Sequence, residues 1–197
     1  MATRGRPRAF DREQGLRLAM RAFWERGYEA TSVNFLATQM GINPPSLYAA
    51  FGDKQTLFRS AVELYGETEG SIARRALTGG GTARTVVETM LRESADRFTD
   101  PSMPGGCMVV LSAINCTEAN DPVQEFVADL RRRDESALRD RFARAVASGE
   151  LDEKVDPGLL AGYYHSVLYG LSIQARDGAS REQLHGIVDI ALASWPA

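Results

Sequence analysis

The chain has 197 residues, is 44% hydrophobic and 25% charged, and carries a net charge of −3. That length holds one large or two small domains with ample buried core, and the balance is that of an ordinary globular protein. No apolar run approaches the ~20 residues that cross a bilayer, and the opening MATRGRPRAFDRE has no apolar signal core, so a cytoplasmic protein without membrane contact is expected.

The overall charge argues against a nucleic-acid binder, but its distribution reverses that. Residues 1–59 hold nine Arg and Lys against five Asp and Glu, a net +4, whereas the remainder holds fourteen against twenty-one, a net −7. A basic end on an acidic body suits a chain that docks on phosphate through one end only. The two cysteines, Cys107 and Cys116, form no CxxC pair and exclude a disulfide scaffold, while His165 and His185 stand alone, so no metal site is expected.

Apolar residues recur at helical spacing along nearly the whole chain, which predicts an all-α fold of about nine helices. The tail carries Arg4, Arg6 and Arg8 without an apolar anchor. It reads either as an arm that reaches phosphates or a minor groove, or as a solubilising tip. The first helix runs from about Arg12 to Arg26, capped by Asp11 and stopped at Gly27. The second runs from about Val33 to Met40 after Ser32, and Asn43 caps a third whose first turn holds Pro44 and Pro45. A long fourth helix begins near Lys54. After the break Gly79-Gly80-Gly81 come a fifth over about Thr82 to Phe98 and a sixth over about Cys107 to Thr117. Pro122 opens a seventh reaching about Ser148, with a solvated, charge-paired middle. Asp156-Pro157 opens an eighth to about Arg176, and Ser180 with Gln183 boxes a ninth that ends near Trp195.

Residues 31–58 carry the chemistry. Ala37, Gly41 and Leu47 stand at the spacing of a helix-turn-helix. The small residue lets two helices cross closely, the glycine permits a positive φ, and the apolar residue locks the second helix on the first. Such a pair presents the start of its second helix to a DNA major groove. Asn43 and Ser46 can hydrogen-bond base edges or phosphates, while Pro44 and Pro45 offer apolar contact such as to thymine methyls. Thr31, Ser32 and Lys54 lie at helix starts, where hydroxyl, ammonium and backbone N–H groups suit phosphate oxygens. Tyr48 follows about one turn along.

The stretch FWERGYEATSVNFLATQMGINPPSLYAAFGDKQTLFRSAVELY resembles the DNA-binding domain of the TetR family of transcriptional regulators. An aromatic and RGY close helix one, Thr31-Ser32-Val33 open helix two, Met40-Gly41-Ile42 form the turn, and Ser46-Leu47-Tyr48-x-x-Phe51-x-x-Lys54 follow. The resemblance covers roughly residues 10–65. It implies a homodimeric repressor on a palindromic operator of double-stranded DNA, released by a small molecule of unspecified identity. It also implies phosphate contacts for Thr31, Tyr48 and Lys54 and base-proximal roles for residues 43–46, where Pro44-Pro45 is a less usual filling. The module is expected over residues 1–52, with residues 1–9 as its mobile tail, and a helical ligand-binding and dimerisation body over residues 53–197.

The last two helices are too apolar for a periphery. Leu160, Tyr163, Val167 and Leu171 on one, and Leu184, Ile187, Val188, Ala191 and Trp195 on the other, are read as a dimer seam, with an internal core role as the alternative. A pocket is expected among helices four to eight, lined by Met90, Phe98, Cys107, Met108, Leu111, Phe126, Tyr164, His165 and Tyr169, and suited to an apolar or aromatic molecule. Cys107 follows Pro-Gly-Gly at a helix start, where N–H groups favour a thiolate. A branch of the family with Gly-Cys followed by LSA, here Leu111-Ser112-Ala113, includes sensors of electrophiles or oxidants, which leaves a thiol switch as the alternative function. A bridge from Cys107 to Cys116 is excluded if the sixth helix is continuous, since nine residues span about 13.5 Å.

No paired catalytic carboxylates, GxSxG or nucleotide fingerprint is present, the glycine run lacks the lysine and hydroxyl of a phosphate loop, and no cofactor is implied. The chain is therefore expected not to be an enzyme. A nonspecific architectural DNA binder would be basic throughout, contrary to the −7 of the body.

Overall fold

The computed structural model describes residues 10–196 and is all-helical, with no strand among the described residues. The helices are α1 Arg12–Arg26, α2 Val33–Met40, α3 Pro44–Phe51, α4 Lys54–Glu67, α5 Ile72–Thr78, α6 Ala83–Phe98, α7 Met108–Leu111, α8 Asp121–Ala147, α9 Pro157–Arg176 and α10 Arg181–Ala193, with a 3-10 turn at Glu118–Asn120. No described helix is long and apolar enough to cross a membrane.

Local chemistry sets most of the boundaries. The Asp11 carboxylate accepts from Glu13 and Gln14 N–H, Ser32 Oγ from Phe35 N–H at 3.1 Å, and Asn43 Oδ1 from Ser46 N–H at 2.9 Å. Each satisfies donors that a helix start leaves orphaned. Gly41 adopts φ 67° and ψ 28°, the left-handed corner that turns α2 into α3. Ala37 is 2% exposed at the crossing and Leu47 is fully buried beneath it.

Two expectations need correction. The long fourth helix is two helices, α4 and α5, because the chain turns at residues 68–71. Gly70 N–H donates to Tyr65 carbonyl at 2.7 Å, and a Cβ at Gly70 would stand 2.4 Å from the Tyr65 ring. The sixth helix is a single turn, α7. The Ser112 carbonyl, which a continuing helix would use, instead accepts from Tyr28 N–H at 2.7 Å. The helical separation of Cys107 from Cys116 therefore does not exist, although both thiols are unbridged.

Two apolar cores fill the fold. One joins α1–α4 to Met108, Ala113, Val123 and Val127, and the other joins α6, α8, α9 and α10, with Cys107 packed against both. The first core continues across the expected 52/53 boundary through Phe58, whose ring meets Phe23 and Tyr28 edge-on at 5.1 Å.

Replacing Leu47 by Ala should cost about 2–5 kcal/mol, since the cavity forms where nothing can relax into it. Thermal unfolding followed by circular dichroism measures this, and an unchanged midpoint would remove Leu47 from the lock.

Candidate functional site

The first candidate surface is the outer face of α2 and α3. The buried side of α3, Leu47 and Phe51, fixes the helix, so its start points outward. Pro45 and Ser46 are exposed, Pro44 is half-buried, and Tyr48 is 50% exposed. Ser32 and Asn43 spend one oxygen each on their caps, and the Ser32 hydroxyl hydrogen and the Asn43 amide remain as donors. Arg12 and Arg26 fasten the module. Arg12 Nε donates to Ala50 carbonyl at 3.1 Å, and the Arg26 guanidinium lies 4.2 Å from the centroid of the Phe35 ring. Arg4 and Arg6 lie outside the described residues.

Thr31 is a correction. It is fully buried, and its hydroxyl donates to Gly27 carbonyl at 2.6 Å, so it closes the corner between α1 and α2 and offers nothing to a phosphate. In sequence it is a hydroxyl beside a cap; its burial comes from α1, which local spacing does not reveal. Lys54 starts α4 with its ammonium 4.0 Å from the centroid of the Tyr28 ring. Burial lowers its pKa, opposed by the nearby Glu29 carboxylate.

The second candidate site is a cavity of about 440 Å³ enclosed by α4, α5, α6, α8 and α9, with residues of α7 in its wall. Phe98, Cys107, Phe126, His165 and Tyr169 line it as expected. Met90, Met108, Leu111 and Tyr164 do not. Met90 and Met108 are core, the Leu111 side chain lies beside Gly106, and Tyr164 packs edge-on to Phe142 and tilted against Trp195. Helical periodicity places all four on inward faces, but it cannot tell a core from a cavity wall. The reading also missed Tyr65, whose hydroxyl donates to Cys107 Sγ at 3.4 Å, and Asp134 and Arg131 of the supposedly solvated α8 face. Arg131 reaches the Val109 carbonyl at 2.8 Å.

The wall of this cavity carries several polar groups whose neutral forms burial favours, beside the Arg131 guanidinium and the Asp134 carboxyl, which burial pushes up to about 6. Burial lowers the pKa of His165, whose Nδ1 pairs with Tyr169 hydroxyl at 3.1 Å, and raises Tyr65 and Tyr169. Burial also raises the Cys107 thiol, outweighing the Tyr65 hydroxyl and the Val110 and Val109 N–H groups that favour its thiolate. The activation expected from the helix start is thus overridden by burial.

On the last two helices the expected seam divides. Leu171, Leu184, Val188 and Ala191 are buried in the chain's own core, and Leu160, Val167 and Trp195 are packed partly against it. Tyr163 and Ile187 do face outward, at 43% and 37% exposure. They are joined by Leu159 at 76%, Ile173 at 45% and Ile190 at 75%. Helices apolar on two stripes give no phase to separate an inner from an outer row, so the reading mixed the two.

Residues 16–61 match the family model described as bacterial regulatory proteins, tetR family, and residues 81–188 match the tetracyclin repressor-like C-terminal domain. The HTH-type transcriptional repressor ComR of Escherichia coli (strain K12) is 32% identical over 198 residues, covering 98% of this chain and 93% of that protein. The repressor BdcR of the same organism is 33% identical, covering 91% of this chain and 86% of its own. A solved structure of the TetR family regulator CifR, a cysteine mutant complexed with 26-base-pair operator DNA, is 44% identical with a TM-score of 0.91, covering 98% of this chain and all of that one.

Replacing Tyr48 by Phe should weaken DNA binding by about 1 kcal/mol while thermal stability stays unchanged, as for a lost phosphate hydrogen bond at an exposed position. Fluorescence anisotropy on a duplex from upstream of the coding region measures it, and equal affinity would show the hydroxyl unused.

Proposed function

Because the chain belongs to the tetR family of bacterial regulatory proteins, we propose that it is a one-component repressor that binds a palindromic operator as a homodimer and leaves it when a small molecule fills the cavity. DNA binding and transcriptional regulation come with the family; the dimer, the release and the residue roles are inferred from the surfaces described above. Asn43, Pro44, Pro45 and Ser46 meet the bases, and Ser32, Tyr48 and Lys54 meet the flanking phosphates, on a module over residues 1–52 served by a body over residues 53–197. Such a protein works in the compartment that holds the chromosome, the cytoplasm.

The observation that carries the release is the double duty of α4. Its Phe58 packs on Phe23 and Tyr28 of the DNA-binding module, and its Val62, Tyr65 and Gly66 wall the cavity. An occupant that shifts α4 therefore tilts α1–α3 with it, which is what a coupling between two sites requires. The wall, apolar over much of its area but carrying Arg131 and Asp134, favours a molecule with an apolar body and a polar end.

The dimer follows from the outer stripe Leu159, Tyr163 and Ile173 on α9 with Ile187 and Ile190 on α10. Isologous pairing of that stripe across a two-fold buries it and sets two recognition helices about 34–36 Å apart, or a multiple of that. Sedimentation should give a dimer for the native chain and a monomer for Ile190→Glu, with operator affinity in a gel shift falling at least about tenfold in the variant. A folded, tightly binding monomer would overturn the reading.

A second reading on the same scaffold rests on Cys107 lining the cavity beside the Tyr65 hydroxyl. An electrophile small enough to enter forms a bond with Sγ, the thiol proton passing to water, and the adduct occupies the cavity permanently. In Cys116→Ser protein, N-ethylmaleimide should label Cys107 more slowly than it labels glutathione at pH 7, because the buried thiol resists ionisation, with a rate that climbs as pH rises. Loss of operator binding on labelling supports this reading, and full binding by the labelled protein defeats it.

A further inference from the structure

Arg176, the last residue of α9, gathers three segments with different roles. Its Nε donates to Gly105 carbonyl at 2.9 Å, its Nη1 to Glu25 carbonyl at 2.9 Å and its Nη2 to Trp24 carbonyl at 2.8 Å. Trp24 and Glu25 lie in the final turn of α1, where carbonyls have no partner within the helix and the dipole favours a cation. Three charge-assisted bonds from one planar fork define a direction as well as a contact. Lysine has no equivalent geometry.

The backbone around the guanidinium has no slack. A Cβ on Gly105 would stand 3.3 Å from the Ala175 carbonyl oxygen, and one on Gly106, where φ is +74°, would stand 2.5 Å from that of Ser172. Cys107 N–H donates to Ser172 Oγ at 2.8 Å, and Trp24 Nε1 donates to Gly106 carbonyl at 3.0 Å. Immediately beyond, Cys107, Val109 and Val110 face the cavity. The end of α9, the cavity strap at residues 105–110 and the end of α1 are therefore one hydrogen-bonded knot.

We propose that Arg176 is a positioning residue that sets the angle of the DNA-binding module against the α9–α10 face, and thereby the separation of the two recognition helices. This rests on the dimer reading above, since α9 carries the face that pairs. The other ties of the α1 end, Trp24 to Gly106 on the strap and Tyr28, just past α1, to Ser112 at the end of α7, do not touch α9. Loss of the guanidinium leaves the module docked through those ties and through α4, with its tilt against α9 less restrained.

The test uses the full chain, a duplex selected by the native protein from a random-sequence pool, and the same duplex with one base pair inserted at its centre. That insertion moves one half-site by about 3.4 Å and turns it by about 35°. The native dimer should lose about 50-fold or more in affinity on the insertion. Arg176→Ala should lose only about fivefold or less, while its affinity for the parent duplex stays within about tenfold of native and sedimentation still shows a dimer. Arg176→Lys should fall between. A merely structural role lowers both affinities together and leaves their ratio at the native value, and that result overturns the proposal. If the Ala variant does not fold, Arg176→Gln is read by the same ratio. A native chain that stays monomeric or selects no duplex fails before any substitution is made, which identifies the dimer reading as the fault and takes this inference with it.

Discussion

The aromatic contact between α1 and α4 is the constraint on which both halves of the molecule depend. Phe58 stands edge-on to Phe23 and Tyr28, and about two turns later Tyr65 stands edge-on to Trp24 at 4.9 Å. A module of three short helices buries too little surface to be stable by itself. Here it borrows α4, and α4 belongs equally to the body. The recognition helix is therefore held not by a linker but by a continuous apolar core, so its direction reports the state of the body behind it.

Much of the module was legible because its determinants are local. Asp11, Ser32 and Asn43 accept from N–H groups two or three residues ahead, and Gly41 needs only its own missing Cβ to enter the left-handed region. The same holds for the capping box of Ser180 and Gln183. What sequence hid is what distant partners decide. Nothing in the string LSAIN says that α7 ends when the Ser112 carbonyl is taken by Tyr28, two residues past the end of α1. Nothing local marks Gly70 as lying against the Tyr65 ring, nor tells that Thr31 faces inward while Ser32 faces out.

The cavity shows the same division. Phe98, Phe126, His165 and Tyr169 were recognisable as inward residues, and whether an inward residue meets another side chain or a void depends on how five helices splay. The acidic balance of the body is equally uninformative about this interior. Many of its charges pair on the outside, as Arg132 does with Glu125 and Asp129, and as Arg92 does with Glu88 and Asp189. Within the cavity, burial favours the neutral forms of several groups, a histidine held below its usual range and a thiol and two phenols held above theirs, beside Arg131 and Asp134 of α8.

The paired glycines at 105 and 106 have a consequence for variation in the chain. A methyl group on the second of them would collide with the Ser172 carbonyl oxygen of α9, backbone that cannot swing aside, and would crowd the Leu111 side-chain end at the same time. Most surface positions tolerate drift because a neighbour can yield by a fraction of an ångström. This one has no neutral alternative, so the smallest alteration the genetic code permits there would wedge the strap away from α9 and disturb the seating of α1 in the same stroke.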